Sequence, residues 1–347
     1  MASRVKEAFR QQGTVCTAMG SAFTGALCST FADNLDTNTT VGAHCLGWTG
    51  DPGPSADSIP LRLCGGFHAL VLSGADRELA DHYPPHRSGV PDWSLLHAIL
   101  IRHEDFLLRW MESPPQTNEV SRSAVIWPAL MTLVDRVGMP LKLLEIGASG
   151  GLNLQADQFG YNLGGVICGQ PESQLQLSPQ WQGAAPVTSN PKVVARNACD
   201  LNPINPLDPD QALRLRTYLW PDQPERMQRL NAALAIAAAS PAPVDQADAV
   251  AWLESQLSHL DNGLCTVIYS TVAWQYLPGS AQKAGESIIL ETARKQAGKE
   301  APLAWIRFEA DGESPGGGIR LQLWPDGLDC VLGRADFHAR WVDWRGL

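Results

Sequence analysis

The feature that most constrains this chain is the run Leu141-Lys142-Leu143-Leu144-Glu145-Ile146, followed directly by Gly147-Ala148-Ser149-Gly150-Gly151. A short apolar segment closed by glycines reads as a buried strand, and a helix is expected to open at Leu152. Further strands are expected at 193–199, 264–270 and 303–309. Helical patterns fall between them at 210–239 (which Pro221 and Pro224 must split), from Ala247-Asp248-Ala249 to about His259, and at 280–295. Such alternation forces parallel pairing with right-handed crossovers. The segments 319–324 and 328–333 flank Pro325-Asp326-Gly327 and read as a closing antiparallel hairpin. Residues 160–192, with Pro171, Pro179, Pro186 and Pro191, read as a turn-rich insertion.

The chain before this pattern reads as helices joined by Pro/Gly loops, so the expected domains are a helical region over 1–138 and an α/β region over 139–347. Two short surface helices are expected up to Cys28. An apolar helix with His68 inside it is expected at 61–73, and one continuous helix at 93–111. A further helix is capped by Thr117 and carries Val120, Trp127, Leu130 and Val134 on one stripe. With 347 residues, 44% hydrophobic and 18% charged, there is apolar material for a core in each region. A net charge of −10 gains nothing from phosphate counterion release, so nucleic acid is disfavoured as a partner. No run reaches the ~18 apolar residues of a membrane span. The eight cysteines are scattered without a CxxC, as reduced thiols are in a cytoplasmic protein. No metal site is expected: His82 and His86 are four apart, but Pro84 and Pro85 between them prevent a helix from presenting both. His68, His97 and His103 are expected as satisfied core or boundary histidines. The sequence sets no oligomeric state.

Chemistry concentrates around the glycine run. Glycines between a strand and a helix let the backbone approach a ligand, with N–H groups and a helix N-terminus facing it. An acid two residues before the first glycine, Glu145, resembles the first motif of class I S-adenosylmethionine-dependent methyltransferases. Glu145, Gly147 and Gly151 match that motif, and Ser149 stands in place of its middle glycine. The resemblance implies that Asp200, with Leu201 after it, accepts hydrogen bonds from ribose hydroxyls. It implies that Asp248-Ala249 lies near the adenine and that Ser270 closes the fourth strand beside the transferring methyl. Local alternatives are an Asx turn before Pro203 for Asp200 and a helix N-cap for Asp248. Arg122 shares a helix face with Asn118 and Glu119 and could receive a carboxylate, or could form a surface ion pair. Tyr276 in Trp274-Gln275-Tyr276 could touch a small-molecule substrate, or pack in the core.

Other readings of the same residues belong to different classes. Gly147-Ala-Ser149-Gly-Gly151 is also a G-x-S-x-G nucleophile elbow, with Asp311, Asp336 and His338 downstream; it would make Ser149 a hydrolase nucleophile. A nicotinamide fingerprint would need glycines where Ser149 and Leu152 stand. A Rossmann-like ligand-binding or regulatory protein without transfer is the third. Over nearly its whole length the chain also resembles the bacterial family of domains of unknown function DUF2332. That resemblance runs through Leu61-Arg-Leu, Gly66, His68, Tyr83-Pro84, Asn118-Glu119, Arg122-Ser123, Glu145 to Leu154, Asp200-Leu-Asn-Pro203, Trp220-Pro-Asp-Gln223 and Ser270 to Tyr276. It implies a Rossmann-like core and brings no activity of its own. The combined expectation is a class I methyltransferase-type, mostly parallel α/β sheet with a C-terminal hairpin, preceded by helices, using S-adenosylmethionine on a small molecule.

Overall fold

The computed structural model describes residues 2–54 and 56–347. Seven helices come first: α1 (Ala2–Ala18), α2 (Ala22–Asn34), α3 (Thr40–Leu46), α4 (Ile59–Leu72), α5 (Arg77–Ala80), α6 (Trp93–Arg102) and α7 (Glu104–Met111). A 3-10 turn, Val120–Arg122, and α8 (Ser123–Val137) lead into β1 (Leu141–Ile146). A second 3-10 segment, Leu152–Gln158, precedes four short strands: β2 (Gly160–Leu163), β3 (Val166–Gly169), β4 (Gln176–Leu177) and β5 (Gln180–Gly183). Then come β6 (Val193–Asp200), α9 (Pro209–Thr217), α10 (Pro224–Ala239), β7 (Val244–Gln246), α11 (Ala249–Gln256) and β8 (Cys265–Thr271). The chain ends with a 3-10 turn at Trp274–Tyr276, α12 (Gly279–Gln296), β9 (Leu303–Glu309), β10 (Gly317–Trp324), β11 (Leu328–Ala335) and β12 (Trp341–Trp344). Among the described residues no helix is long and apolar enough to cross a membrane. The chain forms two compact units, one of the segment ending at Thr117 with Asp208–Gln228, the other of Asn118–Leu207 with Arg229–Leu347.

The first unit is a helical body around an aromatic core. Phe31 packs against Phe9 (ring centroids 5.8 Å) and Phe67 (5.2 Å), and Phe23 meets Tyr83 edge-on at 4.7 Å. These rings correct the expectation of surface helices at the N-terminus: α1 and α2 bury Val5, Phe9, Phe23, Leu27 and Phe31. The helix expected over 93–111 is broken at His103 (φ −115°, ψ 28°). Its Nε2 lies 2.8 Å from Asp76 Oδ2, which also takes Arg102 at 2.8 Å, and these bonds hold the break. His68 is buried and donates Nδ1–H to the Thr217 carbonyl (3.0 Å), so the neutral ring keeps Nε2 as an acceptor.

The second unit is built on a nine-stranded sheet of order β5-β12-β11-β10-β9-β8-β1-β6-β7. Strands β7, β6, β1, β8 and β9 are mutually parallel, whereas β10, β11 and β12 continue the sheet antiparallel. The sheet is therefore mixed and mostly parallel, as the β/α alternation and the final hairpin require. Leu144, Ile268 and Trp305, neighbours across β1, β8 and β9, pack beneath Trp252 and Leu253 of α11 and Ile289 of α12. Glu145 and Tyr269 stand one residue out of phase and point to the opposite face.

The segment 160–192 is more ordered than a run of turns. β2, β3 and β4 form a small sheet, and β5 pairs with β12 at the edge of the large one. Tyr161 of β2 stacks on Trp127 of α8 at 5.4 Å, nearly coplanar, and gives its hydroxyl to the Ala156 carbonyl. Two helix starts also differ from expectation. The helix expected from Thr117 begins at Val120, capped by Glu119, whose Oε1 accepts from Ser121 N–H. The helix expected from Leu152 is a 3-10 segment, because Arg196 of β6 takes the Leu154 carbonyl (2.8 Å) and diverts it from an α-helical partner.

Candidate functional site

In a doubly wound sheet the ligand crevice lies beyond the carboxyl ends of the strands, where the strand order reverses. From β1 the chain moves outward to β6 and β7, then returns to β8 on the other side of β1, so the reversal falls at β1 and β8. Both tips are strained. Ser149 (φ 54°) follows β1 and Val272 (φ 54°) follows β8, and each holds a left-handed backbone that costs an L-residue about 1–2 kcal/mol. Residues in such conformations concentrate at functional sites.

The glycine turn is tightly engaged by the protein. Gly147 and Ala148 donate to the Cys199 carbonyl (2.9 and 3.1 Å), Ser149 N–H to Asp200 Oδ2 (2.9 Å), and Gly151 to Ala148 O (2.9 Å). Leu152 N–H goes to Asn118 Oδ1 at 3.0 Å. Gly147 and Gly151 are needed for close approach as well as for positive φ. A Cβ at 147 would stand 2.5 Å from Ala273 Cβ, and one at 151 would stand 2.7 Å from Val244 Cγ2. The Ser149 hydroxyl is buried with no hydrogen-bond partner.

Asp200 closes β6 beside this turn. Oδ2 accepts from Ser149, and Oδ1 accepts from Asn202 N–H (2.9 Å), which is the Asx turn read as its local alternative. The group is half-buried, and each oxygen has a further lone pair. Leu201 next to it is 60% exposed. The exit of β7 meets the same tip, with Ala247 N–H on the Asp200 carbonyl (3.0 Å). Asp248 is exposed and caps α11 through Oδ1, which accepts from Val250 and Ala251; this is its N-cap alternative. Ala249 faces inward and packs in the core with Trp252 and Leu253.

Glu145 points to the same face of the sheet as Asp200, because it pairs with Ala198 two residues before Asp200, but it lies below the surface. It is 1% exposed, its Oε2 accepts from the Tyr269 hydroxyl (3.0 Å), and burial pushes its carboxyl up to about 8. Tyr269 and Arg122 favour the charged form, but not enough to offset desolvation. Arg122 is a backbone clamp: Nη1 gives to the Thr271 carbonyl and Nε to the Phe337 carbonyl, both at 2.9 Å. Ser270 is fully buried in β8, and Tyr276 is 70% exposed. The structure gathers Ser149, Asp200 and Leu201 with the 247–248 segment at one tip; Glu145 lies beneath it within electrostatic reach of Asp200 and Arg122, Ser270 is buried beside Ile146, Ala249 packs in the core, and Tyr276 is exposed beyond the β8 tip.

Among the described residues no Ser-His-Asp triad is assembled. Ser149 Oγ has no partner, Asp311 is forked with Arg334 (2.6 and 3.1 Å), and Asp336 is held by Arg340.

Sequence reasoning missed Glu309, at the end of β9. Its carboxylate accepts from the backbone N–H groups of Ala273 and Trp274 (3.1 Å each) and Gln275 (3.4 Å), and so holds the turn after the strained Val272. Its place at a strand tip was readable; its partners were not. Beside that turn opens a groove of about 700 Å³, bounded by Trp274, Gln275, α12 and the strands β9, β10 and β11.

Comparison with known proteins gives one family. Neither curated proteins nor solved structures yield a match. The family described as "Uncharacterized protein conserved in bacteria (DUF2332)" matches residues 6–344. Because that match spans nearly the entire sequence, the chain belongs to the DUF2332 family.

Proposed function

We propose that the second unit is an S-adenosylmethionine-dependent methyltransferase of class I type acting on a small molecule. The observation that carries this reading is the half-buried Asp200 carboxylate, fixed to the glycine turn through Ser149 N–H at the strand-order reversal, with exposed Leu201 beside it. The adenosyl half of the cofactor suits these residues. The unused lone pairs of Asp200 would take two ribose hydroxyls, Leu201 would supply an apolar face to adenine, and the exposed Asp248 would accept from the adenine amino group. The amino-acid end finds fewer groups, chiefly the unpartnered Ser149 hydroxyl.

When bound, S-adenosylmethionine supplies an electrophilic methyl group. The residues of this chain contribute position rather than proton transfer. Arg122 and Glu309 fix the β8 tip by gripping its carbonyl and N–H groups, and Ala273 lies close against Gly147 of the glycine turn. A second reading, a binding protein that keeps the adenosyl platform without transfer, is favoured by the internal engagement of the N–H groups of Gly147, Ala148, Ser149, Gly151 and Leu152.

The test is thermal shift with S-adenosylhomocysteine. A ligand that binds only the folded state raises the melting temperature, and Asp200→Asn should weaken that effect at least ~10-fold in ligand concentration. No shift at millimolar ligand refutes both readings. A shift without methyl transfer to any acceptor selects the second.

A further inference from the structure

The groove beside the Trp274 turn has an uneven distribution of charge. Its floor is one cross-strand row: Arg307 of β9, Arg320 of β10 and Val331 of β11. Like charges directly opposite each other in an antiparallel pair are unfavourable, and here two arginines are paired in that way. Arg320 is neutralised by a forked contact with Asp329, 2.6 Å on each arm. Asp311 is taken by Arg334, and Glu309 by backbone N–H groups.

Arg307 is left without a carboxylate within ion-pair distance. It stacks on Trp305, with Cζ 3.8 Å from the ring centroid, and gives Nη2 to Gln322 Oε1 (2.8 Å). Its Nε is buried and has no partner. A planar cation fixed from behind by an indole, with no carboxylate partner among the described residues, is prepared for a planar anion. The same groove is lined by Glu286, Glu309 and Asp311 as well as Lys283, so its acids limit the negative charge it accepts, and a single carboxylate matches the one guanidinium left without a carboxylate. Trp274 and the 45%-exposed Val331 give the rest of the space an apolar surface. The volume of about 700 Å³ is that of a small-molecule site.

We propose that this groove binds a small monoanionic carboxylate with an apolar body, its carboxylate on Arg307. The site stands without any cofactor. Resting on the methyltransferase reading, it becomes the acceptor pocket, because Trp274 directly follows the Ala273 that packs on the glycine turn.

Calorimetric titration of the full chain, without S-adenosylmethionine, with benzoate and with its neutral isostere benzamide tests the proposal. Benzoate should bind at least ~10-fold more tightly than benzamide, since a charge-assisted hydrogen bond contributes that much. Arg307→Gln should abolish the preference. Val331→Glu, on the exposed rim, should weaken benzoate with the fold unchanged by circular dichroism, and so covers the case in which the arginine variant misfolds. Equal binding of the two probes, saturation by neither, benzoate affinity unchanged in either variant, or full competition by inorganic phosphate overturns the proposal. Benzoate binding without any response to S-adenosylhomocysteine would leave the groove assigned and remove only the methyltransferase reading.

Discussion

Replacing Glu145 by glutamine should remove the pH dependence that this residue gives the centre of the large sheet, and reverse the order of stability of variant and wild type between acid and alkaline pH. Burial raises the folded-state carboxyl of Glu145 from 4.5 to about 8. An acid raised in this way binds its proton more tightly folded than unfolded between those two values. Its contribution is therefore fully present below pH 4.5 and is lost as pH rises through 8. Each pH unit is about 1.36 kcal/mol, so about 3 kcal/mol has gone by pH 7 and about 5 by pH 8, to order of magnitude. Glutamine has the same shape, cannot ionise, and keeps an oxygen to accept from the Tyr269 hydroxyl. Leaving its amide N–H groups unsatisfied costs about 1–3 kcal/mol, independent of pH. Glu145→Gln should thus be less stable than the wild type at pH 5 and more stable at pH 8. Hydrogen exchange of peptides covering 141–146 and 265–271, corrected for intrinsic rates, reads the local opening free energy in this unit alone. A wild-type-to-variant difference that stays constant from pH 5 to pH 8 would show that Glu145 is charged in the folded protein and refute the reasoning.

Three further outcomes are expected. His68, lowered by burial to about 4, gives the opposite sign: its contribution is present above pH 6.5 and falls by about 3 kcal/mol as pH drops to 4, and His68→Phe should flatten that slope in exchange of peptides from α4. Burial alone would raise Asp336, but Arg340 and the His338 and Arg340 N–H groups hold it below the usual carboxylate range; Asp336→Ala should cost about 2–3 kcal/mol at pH 7 by urea unfolding, with the deficit shrinking as pH falls through that depressed value. Ser149→Gly should raise unfolding stability by about 2–3 kcal/mol, through relief of left-handed strain and removal of the unsatisfied buried hydroxyl less the entropy of glycine, while weakening S-adenosylhomocysteine binding in thermal shift.

What could be read in advance was what local pattern encodes. Leu141–Ile146 ends in glycine, Val193–Asp200 and Cys265–Thr271 are apolar runs between helices, and Pro325-Asp326-Gly327 turns a hairpin; each signal lies within about ten residues of the structure it makes. The failures were long-range. Arg122 was read as either an anion receptor or half of a surface ion pair, yet it donates to the carbonyls of Thr271 and Phe337, 149 and 215 residues away. His103 breaks a periodic helix for the sake of Asp76, and Arg196 converts a glycine-capped helix into a 3-10 segment from the neighbouring strand. The N-terminal helices were read as surface elements because α1 is polar on average, but their few aromatic residues supply much of the core of the first unit. At the site, residue identity was legible and accessibility was not. Glu145 and Asp200 share one face at neighbouring strand ends, but Glu145 stands level with Ala198 and is covered, whereas Asp200, two residues further out, is half-buried.

The Ser149 position holds the strongest internal reason to look for a ligand at this tip. Glycine would adopt a φ of +54° without strain, and the turn already has glycine at 147, 150 and 151. Serine there carries a backbone cost and also buries a hydroxyl that finds no acceptor or donor within the protein, a further penalty of about 1–3 kcal/mol. The backbone bond from Ser149 to Asp200 does not account for the side chain, because glycine would make it equally well. The neighbouring strain at Val272 differs in this respect, since Glu309 visibly compensates it by gathering the following N–H groups. Among the described residues, then, nothing offsets the serine hydroxyl. The adenosyl ligand proposed above would supply a partner from outside the chain, since the orphaned oxygen sits one hydrogen-bonded step from the Asp200 carboxylate that still has lone pairs to offer.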